Sequence, residues 1–213
     1  MDKGVLDLEG PVFSVLDKIG QMVALSAVWI IGCIPVVTIA TSTTALYYAV
    51  SKSIRRDCGS ALKEFWSSYK ANLKRGIPVT VAAAALAVLL EWNIGLLTGG
   101  GQQNNFLLWG SIIASAVLAG SCVYICPVLS RFSMGVGKAC RLAFVMAVRF
   151  LPYTVLILVA AVLVGYLQVF VLPMPTLILL PSVMCYFATF PVEKALLKFM
   201  PPKEENDDSW YYQ

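Results

Sequence analysis

VFSVLDKIGQMVALSAVWIIGCIPVVTIATSTTALYYAV, residues Val12–Val50, is almost unbroken apolar sequence with one proline inside it. As a single helix it would run about 58 Å at about 1.5 Å per residue, nearly twice a hydrocarbon core of about 30 Å. The stretch therefore has to turn back on itself. Pro35 stands where the reversal is needed, which predicts a first membrane helix at about 12–34, a turn from Pro35 to Ile39, and a short Thr/Ser-rich helix at 40–52. The second helix either completes a span or is re-entrant, packed among other helices where its backbone and hydroxyls find protein partners.

The rest of the chain repeats the pattern with longer runs. Segments at about 78–97, 106–129, 152–172 and 175–192 are each long enough to cross, and Pro78, Pro152 and Pro175 stand at or near the start of three of them, where a missing N–H costs nothing. Between them, Thr98–Asn105 (TGGGQQNN) and Val171–Pro175 (VLPMP) are short and uncharged. Lys52–Arg75, by contrast, holds seven basic and two acidic residues, and Ser130–Arg149 holds four basic and none acidic. Basic loops are retained in the cytoplasm while uncharged loops cross, so this alternation predicts a multi-pass protein of the cell membrane with both termini cytoplasmic.

Composition excludes the ordinary soluble classes. Hydrophobic residues make up 59% of the 213 and charged residues 13%, with a mean hydropathy of +0.77, whereas a soluble domain has about a quarter of its residues charged. The net charge of +4 would suggest nucleic acid in a soluble protein, but here the basic residues flank apolar runs and suit anionic lipid headgroups, so no nucleic-acid partner is expected. The expected architecture is an all-α, polytopic transmembrane helix bundle of about six membrane segments, or about five if the second is re-entrant. It forms one transmembrane domain over 1–198, with an acidic tail at 199–213 expected to be disordered. The N-terminal MDKGVLDLEGP lacks the basic region and cleavage pattern of a signal peptide, so the first span is expected to stay as an anchor.

The basic segment after the second helix contains a helix of its own. Over 60–75, Leu62, Phe65, Trp66, Tyr69 and Leu73 recur at three- and four-residue steps, with Lys63, Lys70 and Lys74 elsewhere. This cytoplasmic amphipathic helix either rests at the membrane interface or docks a partner, through Leu62, Phe65, Trp66, Tyr69, Lys70, Leu73 and Lys74; the plainer reading is that its stripe packs as core against the other helices.

The string CIPVVTIATSTTALYYAVSKSIRRD (Cys33–Asp57), preceded by Gly10-Pro11 and followed by FWSSYKANLKR (Phe65–Arg75), resembles the YesL-like bacterial membrane proteins, a domain family of unknown function. Ala40 stands where that family usually has glycine after its Val-Thr-Ile. The resemblance implies a multi-span bacterial membrane protein often associated with carbohydrate uptake, and carries over no catalytic or binding residues.

Chemistry finds few candidates. The chain has no histidine, which removes His-based acid/base catalysis, zinc–histidine sites and Ser-His or Cys-His nucleophiles. No G-x-S-x-G elbow or phosphate-binding loop occurs, and no enzyme activity, cofactor or metal is expected. Cys122 and Cys126, an i, i+4 pair, read as apolar packing. Glu91, an acid within an expected span, and Gln168, at similar depth in another, could line a polar intramembrane site with Thr38, Thr41 and Thr44; alternatively Glu91 reaches interfacial water beside Trp92. Arg75-Gly-Ile-Pro78-Val-Thr80-Val81 and Arg149-Phe-Leu-Pro152-Tyr-Thr154-Val155 share Arg-x-x-Pro-x-Thr-Val, either as a parallel repeat of the kind transporters use or as two independent helix entries. Two function classes follow. The first is a structural or accessory membrane partner associated with carbohydrate uptake, bound to a transport complex in the bilayer. The alternative is a small-solute transporter or channel with its polar site near Glu91 and Gln168.

Overall fold

The computed structural model describes residues 11–99, 105–132, 134–170 and 178–199. Among the described residues the chain is helical, with no strand. Seven α-helices follow one another: α1 (Pro11–Cys33), α2 (Ile39–Ala49), α3 (Ala61–Gly99), α4 (Asn105–Arg131), α5 (Val136–Arg149), α6 (Leu151–Phe170) and α7 (Leu180–Leu197). A 3₁₀ turn (Val36–Thr38) leads into α2, and a π-helical turn (Val50–Ile54) extends it. Four stretches are long and apolar enough to cross a membrane: Val15–Cys33, Ala61–Thr98, Asn105–Arg131 and Leu151–Gln168. The chain is thus an all-α bundle with the character of a multi-pass membrane protein. α2 has eleven residues, and α7 carries Glu193 and Lys194 near its end; neither is among the four. The tail at 200–213, the loop containing Gly100–Asn104 and the start of the expected segment at 175 lie outside the described residues.

The reversal at Pro35 forms where the apolar run required it. The Thr38 hydroxyl lies 2.7 Å from the carbonyl oxygens of both Gly32 and Pro35, taking up acceptors that the end of α1 leaves free. α2 then returns antiparallel to α1. Ser42 donates to the Trp29 carbonyl at 3.1 Å and the Trp29 indole donates to Thr43 at 3.3 Å, while at the other end Lys18 pairs with Asp57 at 3.0 Å. Asp57 has φ +53°, a left-handed conformation that aspartate tolerates, and Gly59 follows at φ +83°, so the chain turns sharply into α3.

α3 differs from the expectation of a helix at 60–75 followed by a span opening at Pro78. It is one helix of 39 residues with Pro78 inside. An interior proline forfeits a hydrogen bond to the carbonyl four residues back and would normally bend or end the helix. Here the turns on either side are clamped to α2: Thr80 donates to the Gly76 carbonyl at 3.0 Å and accepts the Ala40 N–H at 3.1 Å. Gly76 permits this approach, because a Cβ there would lie 2.9 Å from the backbone N and Cα of Thr41. Phe65, Ser68, Asn72, Gly76 and Val79 form the buried face, at helical spacing. The aromatic stripe is therefore split. Phe65 is fully buried, whereas Leu62 and Trp66 are 41% and 43% exposed.

The basic segment 130–149, expected as a loop, contains α5. Ala139, Ala143, Met146 and Ala147 recur at helical spacing and are buried, while Lys138, Arg141 and Arg149 stay exposed. Met146 belongs to a core that also contains Tyr124 and Val128 of α4 and Leu196 of α7; a second core joins Leu25, Leu46, Ile54 and Phe65 of the first three elements. The two Arg-x-x-Pro-x-Thr-Val strings have different backbones. Arg75–Val81 lies inside an unbroken helix, whereas Arg149–Val155 straddles the break between α5 and α6 at Phe150.

Candidate functional site

The most concentrated polar chemistry in the described residues surrounds Glu193, a residue of α7 only 5% exposed. Three elements converge on it. From the π-helical turn and the residues after it come Ser51, whose hydroxyl donates to Oε1 at 2.6 Å, and Arg56, whose two terminal nitrogens reach Oε1 at 3.0 Å and Oε2 at 2.9 Å. Arg55 adds an ion pair to Oε2 at 2.8 Å. The last residue of α4, Arg131, donates to Oε1 at 2.5 Å from a side chain that is 3% exposed. The π-helical turn helps to bring Ser51, Arg55 and Arg56 to bear together: its wider ladder bonds the Arg55 N–H to the Val50 carbonyl at 3.0 Å, five residues back.

Burial opposes ionisation of the Glu193 carboxyl. The hydrogen bonds from Arg56 and Ser51, with the charges of Arg131 and Arg56, outweigh burial and hold it below the usual carboxylate value. An ionised carboxylate offers about four lone-pair sites, and the donors here occupy both oxygens. No acceptor is left to take a proton from a substrate, so the arrangement does not suit general-base chemistry. It acts as a clasp, drawing the end of α2, the end of α4 and α7 onto one anion. Arg55 is held further over the Phe190 ring, 4.6 Å from its centroid.

The expected polar intramembrane residues do not form one site. Glu91 is exposed on α3, beside an open groove lined by Ala87, Val88, Trp92, Gly95 and Leu96. Gln168 is half-buried on α6. α4 packs against both α3 and α6, which make no comparable contact with each other. Thr38, Thr41 and Thr44 are brought together in and beside the first turns of α2, buried against α3 near Gly76 and Thr80. Glu91 lies eleven residues beyond Thr80, about 16 Å along the helix. On the helix expected to dock a partner, Lys70 and Lys74 are exposed and Tyr69 and Leu73 are half-buried. Lys52 pairs with Glu64 at 2.9 Å, tying this part of α3 to the π-helical turn. Among the described residues no group of three Cys, Asp or Glu side chains stands close enough to hold a metal ion.

Sequence reasoning missed Glu193. It fell one residue beyond the expected span at 175–192 and read as the first residue of a solvated segment. The available signal was its position among Thr189, Val192 and Leu196 on one helical stripe, all of them buried. Its partners lie 62 to 142 residues away in sequence, a separation that local pattern does not reveal.

Residues 22–94 match the model of a family described as a protein of unknown function, DUF624. The match runs from the middle of α1 through α2 and most of α3. It includes Ser51, Arg55 and Arg56 of the clasp and excludes Arg131 and Glu193. No curated protein and no solved structure gives a match.

Proposed function

We propose that this protein is a membrane-embedded accessory subunit that docks against a partner along the exposed apolar face of α1. The observation that carries this reading is an offset between apolar surfaces. Val15, Leu16, Ile19 and Val23 of α1 are exposed, and α1 packs along the charged first half of α3: Asp17, Gly20 and Gln21 line a cleft with Ser60 and Leu62, and Gly32 sits against Tyr69. The apolar part of α3, interrupted by the single charge of Glu91, begins only after Arg75. From there to Gly99 it extends about 36 Å, which alone accounts for a hydrocarbon core of about 30 Å. α1 runs beside the charged half of α3 and is itself long and apolar enough to cross a membrane, so a partner would meet its exposed face within or at the edge of the bilayer. Contiguous exposed apolar surface of this kind marks an interaction site.

The transporter reading has less support, since Glu91, Gln168 and the threonines do not converge. Association with carbohydrate uptake rests on the resemblance carried by Cys33–Asp57 and Phe65–Arg75. The test is copurification of the full chain from its native membrane in mild detergent. Recovery of subunits of a membrane transport complex is expected, as is their loss when Leu16, Ile19 and Val23 are changed to glutamine, with membrane abundance unchanged. Solute uptake by the purified protein alone in vesicles would contradict the reading.

A further inference from the structure

One face of α7 changes character along its length. Val183, Phe187, Phe190 and Lys194 follow one another at helical spacing on the side turned away from the bundle, with Phe187 64% and Phe190 41% exposed. Tyr186 meets both phenylalanine rings edge-on, with centroids at 5.8 and 5.4 Å. The stripe passes from apolar to basic within one turn, between Phe190 and Lys194. The opposite face, through Thr189, Val192, Glu193 and Leu196, is buried.

The clasp brings a second cation to this junction. Arg55 lies over the Phe190 ring and pairs with Glu193, its one anionic partner among the described residues. That carboxylate already accepts from Ser51, Arg56 and Arg131. The Arg55 charge is therefore only partly offset, and its Nη1 stands 2.8 Å from Glu193 without forming a hydrogen bond. A guanidinium offers five N–H donors, and the Arg55 side chain is 26% exposed, so donors remain for a group arriving from outside. Lys194 is exposed and makes no ion pair among the described residues.

Two cations at the end of an apolar, aromatic stripe match an amphiphile with an anionic head. An acidic peptide would leave the two phenylalanines uncovered, and an apolar helix would leave the two cations without an anion. Basic residues beside membrane helices bind anionic headgroups, and this chain has four stretches fit to cross a membrane. We infer that α7 holds a phospholipid of net negative charge, with its phosphate between Arg55 and Lys194 and an acyl chain along Phe190, Phe187 and Val183. The guanidinium gives the phosphate directed N–H donors and the ammonium gives it a point charge. Nothing in this assignment depends on the accessory-subunit reading, which rests on α1.

The test is native mass spectrometry of the full chain in mild detergent. Phosphatidylglycerol and phosphatidylcholine with the same acyl chains are titrated separately, and the dissociation constant of the first bound lipid is read. Phosphatidylglycerol should bind about fivefold or more tighter. Lys194→Gln, a change at an exposed side chain, should weaken phosphatidylglycerol about fivefold and leave phosphatidylcholine unchanged, the effect of one basic residue near a lipid surface. Lys138→Gln, which removes an exposed cation of α5, should change neither. Phe187→Ala should weaken both lipids about twofold or more by removing apolar contact. Equal binding of the two lipids by the unmodified chain overturns the inference. So does a preference that survives Lys194→Gln, that Lys138→Gln lowers as much, or that comes with no effect of Phe187→Ala on either lipid.

Discussion

Two glutamates separate structure from surface. Glu193 is buried and ion-paired, whereas Glu91 is exposed on α3. Removing one partner from a buried charge cluster leaves the others uncompensated, so Glu193→Ala should cost about 3–5 kcal/mol of stability. Glu91→Gln should stay within about 0.5 kcal/mol, as surface changes do. Denaturant or thermal unfolding in detergent measures both. The Glu193 carboxyl is held below its ordinary value of 4.5, so its ionisation stabilises the fold above that pH. That contribution is lost as pH falls through the lower, folded-state value, and the acid-side loss should be absent in Glu193→Gln. Glu91 attracted the sequence reading because an acid inside an apolar run is conspicuous. Glu193 did not, because it stands beside Lys194 near the end of a run, where charge is usually solvated.

At the level of elements, close approach rather than apolar area fixes how α2 meets α3. Gly76→Ala places a methyl group against the Thr41 backbone and should cost about 1–3 kcal/mol by overpacking. Gly95→Ala, on the same helix with nothing within 4 Å, should be neutral or stabilising by up to about 1 kcal/mol, from helix propensity alone. Unfolding of the two variants side by side checks the contrast. The break at Pro35 was legible because a largely apolar run of thirty-nine residues cannot lie straight in a bilayer. The same logic failed at Pro78, where the residues before the proline are charged and no length limit applied to them; the α2 clamp that keeps the helix continuous is a tertiary contact with no local signature. α5 was legible in its 3.6-residue pattern but was masked by its basic residues, which read as loop charge. Continuity of α3 is open to measurement. Spin labels at Lys63 and Trp92, twenty-nine residues apart, should give a narrow distance distribution near about 44 Å, whereas a break at Pro78 would give a shorter or broad one.

For the whole molecule, charge is segregated along the fold. Every lysine and arginine among the described residues lies in the first half of α1, the turn after α2, the first fifteen residues of α3, the last residue of α4, α5, or the end of α7 and the residues just after it. The ends of α3 and α4 around Thr98 and Asn105 carry none. The alternation of basic and uncharged segments therefore survives the redrawing of helix boundaries, and the clasp at Glu193 gathers three of those basic residues within the fold. On this account the basic end is expected to face the cytoplasm, and the ends of α3 and α4 around Thr98 and Asn105 are expected to face outward. The most direct test is labelling of single cysteines by an impermeant thiol reagent in intact cells, in a background lacking the six native cysteines. Asn105→Cys should react from outside, and Lys70→Cys and Lys138→Cys should react only after permeabilisation. Reaction of Lys70→Cys or Lys138→Cys in intact cells would contradict the account.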